Sequence, residues 1–256
     1  MTVALHRAFD WRGPDSVVLV HGFTQTLRSW DHLAGLLAES FQVVRVDLPG
    51  HGGSAGVDLS FEDTADALGV AGGRATYVGY SLGGRLCLRL AVDHPELVQS
   101  LVLVGASPGL ADAGEREARR AADEALAGDV ERLGTAAFLD RWLAQPLFST
   151  LVPDAGDLES RRANPPAGLA AALRRLGTGA QEPLWDRLGA LDMPVLAVTG
   201  QNDAKFSCLA EQMAAAIGAN ADAVALAGAG PTAHRERRES FHHLLNAFLL
   251  LHSSTP

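Results

Sequence analysis

Short, nearly continuous apolar runs recur along the chain, and segments with helical periodicity separate most of them. The runs that predict β-strands, each bounded by turn-forming residues, are 17–20, 43–46, 76–78, 101–104, 194–198 and 223–226. Apolar strands that alternate with helices are typical of a parallel sheet covered on both faces. The pattern therefore predicts an α/β fold with a mostly parallel, doubly wound sheet. Ligands of such sheets gather at the carboxyl ends of the strands.

One long segment interrupts this alternation. Between about residues 107 and 183 the sequence has several helical patterns and no convincing strand. We therefore expect residues 1–106 and 184–256 to form one core domain, and residues 107–183 to form an inserted helical lid over the carboxyl-end cleft. A peripheral helical decoration is the alternative interpretation.

The bulk composition narrows the classes of function. The chain has 256 residues, of which 47% are hydrophobic and 20% charged, and its formal net charge is −9. An acidic protein of this kind has no global positive field to collect nucleic-acid phosphates. No apolar run approaches the ~20 residues that span a bilayer, and the N-terminus has no apolar signal region. We therefore expect a cytoplasmic protein without membrane insertion.

The most informative local motif is the G-x-S-x-G sequence at positions 79–83, which follows a predicted strand and precedes a predicted helix. Glycines two residues before and after Ser81 permit a turn sharp enough to expose the serine hydroxyl above the sheet edge. The N-terminus of the following helix directs backbone N–H groups to the same place. Ser81 is therefore the first candidate for chemistry.

A serine hydroxyl is a weak nucleophile and base unless an imidazole takes its proton and a carboxylate orients that imidazole. Asp203 and His234 follow the last two predicted strands, so the chain order is serine, acid, histidine. Each alone could belong to an ordinary loop, but together with the G-x-S-x-G turn they predict a catalytic triad. The predicted oxyanion-hole donors are the backbone N–H groups of Phe23 and Leu82.

These motifs resemble those of the α/β-hydrolase superfamily over nearly the whole chain. The sequences HGFT, DLPGHGGS, GYSLGGR and a late GAGxxAHRE occur in that order. Within the superfamily, the chain resembles the 2-succinyl-6-hydroxy-2,4-cyclohexadiene-1-carboxylate (SHCHC) synthases of menaquinone biosynthesis. The more specific matches are at positions 84–85, 107–110, 115–120, 142–148, 161–164 and 203–206.

The resemblance implies an α/β-hydrolase fold and an unusual use of the triad. Such synthases eliminate pyruvate from 2-succinyl-5-enolpyruvyl-6-hydroxy-3-cyclohexene-1-carboxylate, a small substrate with three carboxylates. The resemblance implies that Ser81, activated by His234 and Asp203, removes the ring proton α to the succinyl ketone. No metal-ligand spacing occurs in the sequence, and we expect neither a metal nor an organic cofactor.

A polycarboxylate substrate requires cations in this otherwise acidic protein. Arg85 follows Ser81 by one helical turn, so we expect it to approach the cleft. Arg119 (or its neighbour Arg120) and Arg162 are expected to reach down from the lid, although their composition alone fits a solvated helix face. The other predicted pocket residues are Tyr80, Trp142, Phe148 and Lys205.

The late loop departs from the family pattern at two positions. Related sequences often carry a second histidine early in this loop, where this chain has Pro231, and a proline where this chain has Arg237. Both differences bear on the conformation of the loop that carries His234.

Two other functions stay open at this point. A hydrolase of esters or carbon–carbon bonds would use the same triad, but it has no inherent need for an arginine cluster. A non-catalytic receptor on the same fold has no need for an intact serine, aspartate and histidine set.

Overall fold

The computed structural model describes residues 3–11, 13–151 and 154–253. Its strands are β1 (Arg7–Trp11), β2 (Ser16–Val20), β3 (Gln42–Val46), β4 (Ala75–Tyr80), β5 (Val98–Val104), β6 (Val195–Gly200) and β7 (Ala221–Leu226). They form one sheet in the order β1-β3-β2-β4-β5-β6-β7. β1 is antiparallel to β3, and the other neighbours are parallel. The predicted mostly parallel sheet is confirmed.

Helices cover the sheet and fill the segment between β5 and β6. They are α1 (Asp31–Leu37), α2 (Phe61–Gly72), α3 (Leu82–Asp93), α4 (Ala113–Leu133), α5 (Thr135–Leu143), α6 (Ala155–Arg162), α7 (Pro166–Leu176), α8 (Ala204–Ile217), α9 (Ala233–Glu236) and α10 (Arg238–Leu251). Across the described ranges, no helix combines the length and the apolar character needed to span a membrane.

Two apolar layers lie on opposite faces of the sheet. Because side chains alternate along a strand, Val18 and Val20 of β2 pack with α2, α3 and α8, whereas Val17 and Leu19 pack with α1 and α10. All four side chains are at most 1% exposed. Each such burial stabilises the fold by about 1.5–3 kcal/mol. This arrangement confirms the doubly wound architecture.

The helices between β5 and β6 have a small core of their own. It contains Val130 of α4, Phe138 of α5, and Leu169 and Leu173 of α7. Gly134, whose φ is +75°, separates α4 from α5. A positive φ suits glycine, so α4 ends here and the chain turns back towards the sheet edge.

Candidate active site

The turn between β4 and α3 holds Ser81 in a strained conformation. Its φ is +50° and its ψ is −109°; a positive φ costs a non-glycine residue about 1–3 kcal/mol. The flanking glycines make room for it, because a Cβ on Gly79 would lie 2.5 Å from the carbonyl of Gly83. A Cβ on Gly83 would lie 2.4 Å from the oxygen of Val20. The turn therefore depends on both glycines of the motif.

A cavity of about 590 Å³ lies beside Ser81. Loops at the carboxyl edge of the sheet form one part of its wall, and helices α4 to α7 form another. The predicted site residues that line it are Phe23, Tyr80, Ser81, Leu82, Arg85, Arg119, Trp142, Phe148, Asp203 and Lys205. Two predicted site residues, Arg162 and His234, do not belong to the described lining.

The two predicted oxyanion donors belong to different parts of this wall. Leu82 begins helix α3, so its N–H is one of the groups at a helix N-terminus that have no intrahelical acceptor. Phe23 lies in the loop after β2 and lines the same cavity. Backbone amides that are held in advance stabilise a developing negative charge. Their placement makes this role available to Phe23 and Leu82.

Buried histidines hold the loop after β2 in place. His21 Nε2 accepts a hydrogen bond from Leu48 N at 3.1 Å, and its Nδ1 donates to Gly22 O at 2.8 Å. His51 Nε2 accepts from Thr24 N at 3.2 Å, and its Nδ1 donates to Pro49 O at 2.9 Å. Burial lowers the pKa of His51 to about 3. Both imidazoles are therefore neutral, and both use their two ring nitrogens.

Helix α6 and the turn after it are tied to the same loop. Asn164 Nδ2 donates to Thr24 O at 2.9 Å, and Gly52 N donates to Asn164 Oδ1 at 2.8 Å. Arg161 Nη1 donates to Thr24 Oγ1 at 3.1 Å. Thr24 itself has a φ of +69°, which a residue other than glycine keeps only when its surroundings fix it. These contacts fix the loop that carries Phe23.

Arg85 is a buried cation with uncharged hydrogen-bond partners. Its Nη1 donates to Gln181 Oε1 at 2.9 Å, and its Nη2 donates to Leu176 O at 2.8 Å. Burial lowers the pKa of Arg85 to about 9, and the positive charge of Arg119 acts in the same direction. Buried charges are normally paired with an opposite charge. This guanidinium is therefore ready to bind a carboxylate.

The structure distinguishes the two adjacent arginines of α4. Arg119 lines the cavity, and its Nε donates to Asp123 Oδ1 at 2.8 Å. Arg120 instead pairs with Glu117 at 3.2 Å, on an exposed part of the helix. Successive residues on a helix point about 100° apart, so only one of the two can face the cavity.

Arg162 does not have the place predicted for it. It is exposed and pairs with Asp140 at 3.0 Å. Its neighbour Arg161 is 3% exposed, lines the cavity and pairs with Asp157 at 2.7 Å. The physical reason is again helical rotation, which turns Arg161 inwards and Arg162 outwards. The i, i+4 spacing of Asp157 and Arg161 was the available sequence signal for this buried pair.

Aromatic side chains form an apolar wall of the cavity. The ring centroid of Trp142 lies 5.5 Å from that of Phe23 and 5.9 Å from that of Phe148. Tyr80 is buried, Lys205 is exposed, and both line the cavity. The cavity thus combines an apolar wall with several cations, which suits a ring compound that carries carboxylates.

Asp203 lies just beyond β6, at the start of α8. Its Oδ1 accepts a hydrogen bond from Phe206 N at 3.2 Å and so caps the helix. Its Oδ2 is buried and has no hydrogen-bond partner among the described residues. A buried carboxylate oxygen without a hydrogen-bond donor lowers the stability of the fold. A donor placed next to this oxygen would remove that cost.

His234 is not joined to the other two predicted triad residues. It is 6% exposed, and within the described ranges neither ring nitrogen has a hydrogen-bond partner. Its ring centroid lies 4.4 Å from that of Tyr80 and 4.8 Å from that of Trp30. Burial holds the pKa of His234 well below its usual range, and Arg235 lowers it further. His234 therefore makes no hydrogen bond to Ser81 or Asp203 through its ring nitrogens in the described residues.

The loop that precedes His234 is held by Glu236. Gly230 N donates to Glu236 Oε2 at 2.7 Å, while Thr232 N and Oγ1 donate to Oε1 at 3.0 and 2.7 Å. In this arrangement Pro231 and Thr232 line the cavity. They occupy the part of the wall where the sequence predicted an imidazole.

Comparison with known proteins agrees with the fold. Residues 17–244 match the profile of the alpha/beta hydrolase family, and the chain belongs to that family. A 2-succinyl-6-hydroxy-2,4-cyclohexadiene-1-carboxylate synthase of Klebsiella pneumoniae is 33% identical over 86% of this chain and 88% of its own length. A Citrobacter koseri protein of the same name is 33% identical, with 88% and 89% covered.

Among solved structures, MenH from S. aureus is similar over nearly the whole chain. The TM-score is 0.89 at 28% sequence identity, and the match covers 97% of this chain and 99% of that protein. The similarity includes the helices between β5 and β6 as well as the sheet.

Proposed function

We propose that the protein is an SHCHC synthase that eliminates pyruvate from 2-succinyl-5-enolpyruvyl-6-hydroxy-3-cyclohexene-1-carboxylate. The observation that carries this proposal is that Ser81 shares its cavity with Arg85, a buried guanidinium whose described hydrogen-bond acceptors are uncharged. An ester hydrolase needs no such cation. The relatives named SHCHC synthase, which align with most of the chain, support the same function.

The substrate's three carboxylates match the cations around the cavity. Arg85, Arg119, Arg161 and Lys205 line it, and an arginine binds a carboxylate through two parallel hydrogen bonds. The apolar wall around Trp142 would pack against the cyclohexene ring. Residues 107–183, which supply Arg119, Arg161 and Trp142, would act as the lid over the bound substrate.

In the proposed reaction, Ser81 passes its hydroxyl proton to the carboxylate of Asp203 and then removes the ring proton α to the succinyl ketone. The electron pair of that C–H bond forms a new ring double bond, the existing ring double bond shifts by one carbon, and the ring C–O bond to the enolpyruvyl group breaks. The released enolate takes a proton on carbon and becomes pyruvate, so no water is consumed. The N–H groups of Phe23 and Leu82 would stabilise the charge that develops on the ketone oxygen, and Asp203 would support proton removal by Ser81.

The cysteines support a cytoplasmic location for this reaction. Cys87 and Cys208 are both free thiols, the first buried and the second exposed. Thiols stay reduced in the cytosol, whereas secreted proteins tend to pair them. We propose that the enzyme works in the cytoplasm.

Pyruvate release from the enolpyruvyl substrate tests the proposed function. We expect Ser81→Ala to lower kcat by at least about 10²-fold, because the proton-removing group is lost. Arg85→Gln should raise KM about tenfold or more, since charge-assisted hydrogen bonds contribute about 1.5–3 kcal/mol. The matched control is Arg162→Gln, which removes an exposed arginine outside the cavity and should leave KM unchanged.

Two results would contradict the proposal. One is rapid hydrolysis of p-nitrophenyl esters without any pyruvate release. The other is tight binding of the substrate without either activity, which would favour a receptor.

A further inference from the structure

We infer that no imidazole of the described residues lies between Ser81 and Asp203, and that Pro231 occupies the place where such a proton acceptor would act and thereby limits the rate. The inference rests on the proposed function for its substrate, but its geometry does not depend on that choice. It makes Pro231, rather than His234, the residue that decides how fast Ser81 can exchange its proton.

Pro231 lies directly at the serine turn. It lines the cavity together with Ser81 and Asp203. A Cβ on Gly105, the residue after β5, would lie 3.4 Å from Pro231 O and 3.7 Å from the ring of Tyr80. Strand β5 is the neighbour of β4, which ends at the serine turn. Pro231 therefore shares the cavity wall with the reacting groups, and its pyrrolidine ring contains no atom that can take up a proton.

His234 is separated from the cavity by a side chain that lines it. Tyr80 lines the cavity, and the rings of Tyr80 and His234 are in contact on a side that faces Trp30 and Phe241. The imidazole thus packs among aromatic rings at the wall of a second cavity, which Asp157 and Arg235 also line, and burial keeps it neutral.

The contacts around His234 oppose a rearrangement that would carry it to Ser81. The next residue, Arg235, pairs with Asp157 at 2.7 Å, and both side chains are at most 7% exposed. Breaking a buried ion pair leaves an uncompensated charge, which is strongly unfavourable. The loop backbone also packs tightly on the end of β6, since a Cβ on Gly200 would lie 2.1 Å from Gly230 O. Together with the hydrogen bonds to Glu236, these contacts fix the path of the loop.

The unpartnered oxygen of Asp203 points to the same missing group. Its buried Oδ2 has no donor among the residues described, and Pro231, which lines the same cavity, has no side-chain N–H. An imidazole at position 231 would stand on the wall that Ser81 and Asp203 share. One ring nitrogen could then accept the serine proton while the other donates to the carboxylate.

The test is to put a histidine at this position and measure pyruvate release. We expect Pro231→His to raise kcat by at least about tenfold, because a positioned general base contributes roughly 10²–10⁴-fold. The kcat of this variant should also gain an ionisation near pH 6.5, where an imidazole titrates. Pro231→Asn is the matched control, since it removes the proline ring without adding a base, and it should not show the gain. In the double variant with Ser81→Ala the gain should disappear.

His234→Leu supplies an independent measurement. Its kcat should stay within about twofold of the wild type, since the imidazole lies outside the cavity lining. If Pro231→His does not fold, as judged by its thermal unfolding, the kcat of His234→Leu alone tests the inference. A loss of activity in His234→Leu as large as that in Ser81→Ala would overturn the inference. So would a folded Pro231→His that is no faster than Pro231→Asn.

The experiment separates this inference from the proposed function. If no variant releases pyruvate but Pro231→His hydrolyses p-nitrophenyl esters faster than Pro231→Asn, the missing imidazole is confirmed and the synthase function is wrong. If the wild type releases pyruvate and depends on His234, the synthase function stands and the inference fails.

Discussion

The two loops that border the cavity beside Ser81 use buried histidines in opposite ways. The loop after β2 is held by His51 of the loop after β3, which is fully buried and has both ring nitrogens hydrogen-bonded to backbone atoms. In the late loop, His234 is almost as buried, yet neither nitrogen has a partner in the described ranges. Burial lowers the pKa of both. One imidazole fixes the backbone, and the other serves as packing for aromatic rings.

The comparison teaches that burial and motif context do not by themselves define the role of a histidine. A buried imidazole contributes to positioning when it satisfies backbone groups that would otherwise lack partners. It contributes to proton transfer only when it touches the group that reacts. His51 meets the first condition, and His234 meets neither in this structure.

The largest effect is expected for His51→Leu. The substitution leaves Thr24 N and Pro49 O without their partner, and each unsatisfied buried group costs about 1–3 kcal/mol. We expect the free energy of unfolding to fall by about 3 kcal/mol, measured by urea denaturation. His32→Leu is the control, because His32 is exposed on α1. If His51→Leu lowers the free energy of unfolding as little as His32→Leu does, His51 does not stabilise the backbone and does not differ from His234 in that respect.

A smaller effect is expected for Asn164→Ala, which cuts the link between the lid helices and Thr24. Loss of its two hydrogen bonds should lower the free energy of unfolding by about 2 kcal/mol and raise KM. Asn220 is a matched control, since its side chain donates to two carbonyl oxygens away from the cavity, those of Leu191 and Met193. Asn220→Ala should lower stability without changing KM, and equal KM values in the two variants would refute the link.

The smallest effect is expected for His234→Leu, in the dependence of its stability on acidic pH. A folded-state pKa below the unfolded value of about 6.5 means that the unfolded chain binds more protons. Stability is therefore lost as the pH falls below about 6.5. His234→Leu removes one such group. Between pH 6.5 and pH 5, the free energy of unfolding of this variant should therefore fall by about 1.5 kcal/mol less than that of the wild type. Urea denaturation at both pH values measures this, and an unchanged loss would show that His234 is not shielded from protons.

Several elements could be predicted because their signals are local. The apolar runs identified β2 to β7, and the glycines around Ser81 identified the sharp turn. Strand β1 was not predicted from the sequence, because its sequence RAFDW mixes charged and aromatic residues. It pairs antiparallel at the edge of the sheet. Its residues form no continuous apolar run, whereas β7 at the other edge of the sheet carries the run at 223–226.

Local sequence signals could not show which of two adjacent arginines lines the cavity. Arg119 and Arg120 have similar sequence surroundings, as do Arg161 and Arg162. Which of each pair lines the cavity depends on how the helix is rotated. The rotation of α4 follows from its apolar contacts with α5 and α7, and that of α6 from the hydrogen bonds of Asp157 and Ser160 to the loop after β2.

By itself, the sequence determined the sheet and the sharp serine turn, since these follow from residue types at short spacings, while the family resemblance implied the need for several cations. Only the tertiary structure decided which group stands beside Ser81. The path of the late loop depends on Glu236, on the pair of Arg235 with Asp157, and on the packing of Gly230 against the end of β6. Because Asp157 and β6 are distant in the chain from that loop, no spacing along the sequence could show that Pro231 faces the cavity and His234 does not.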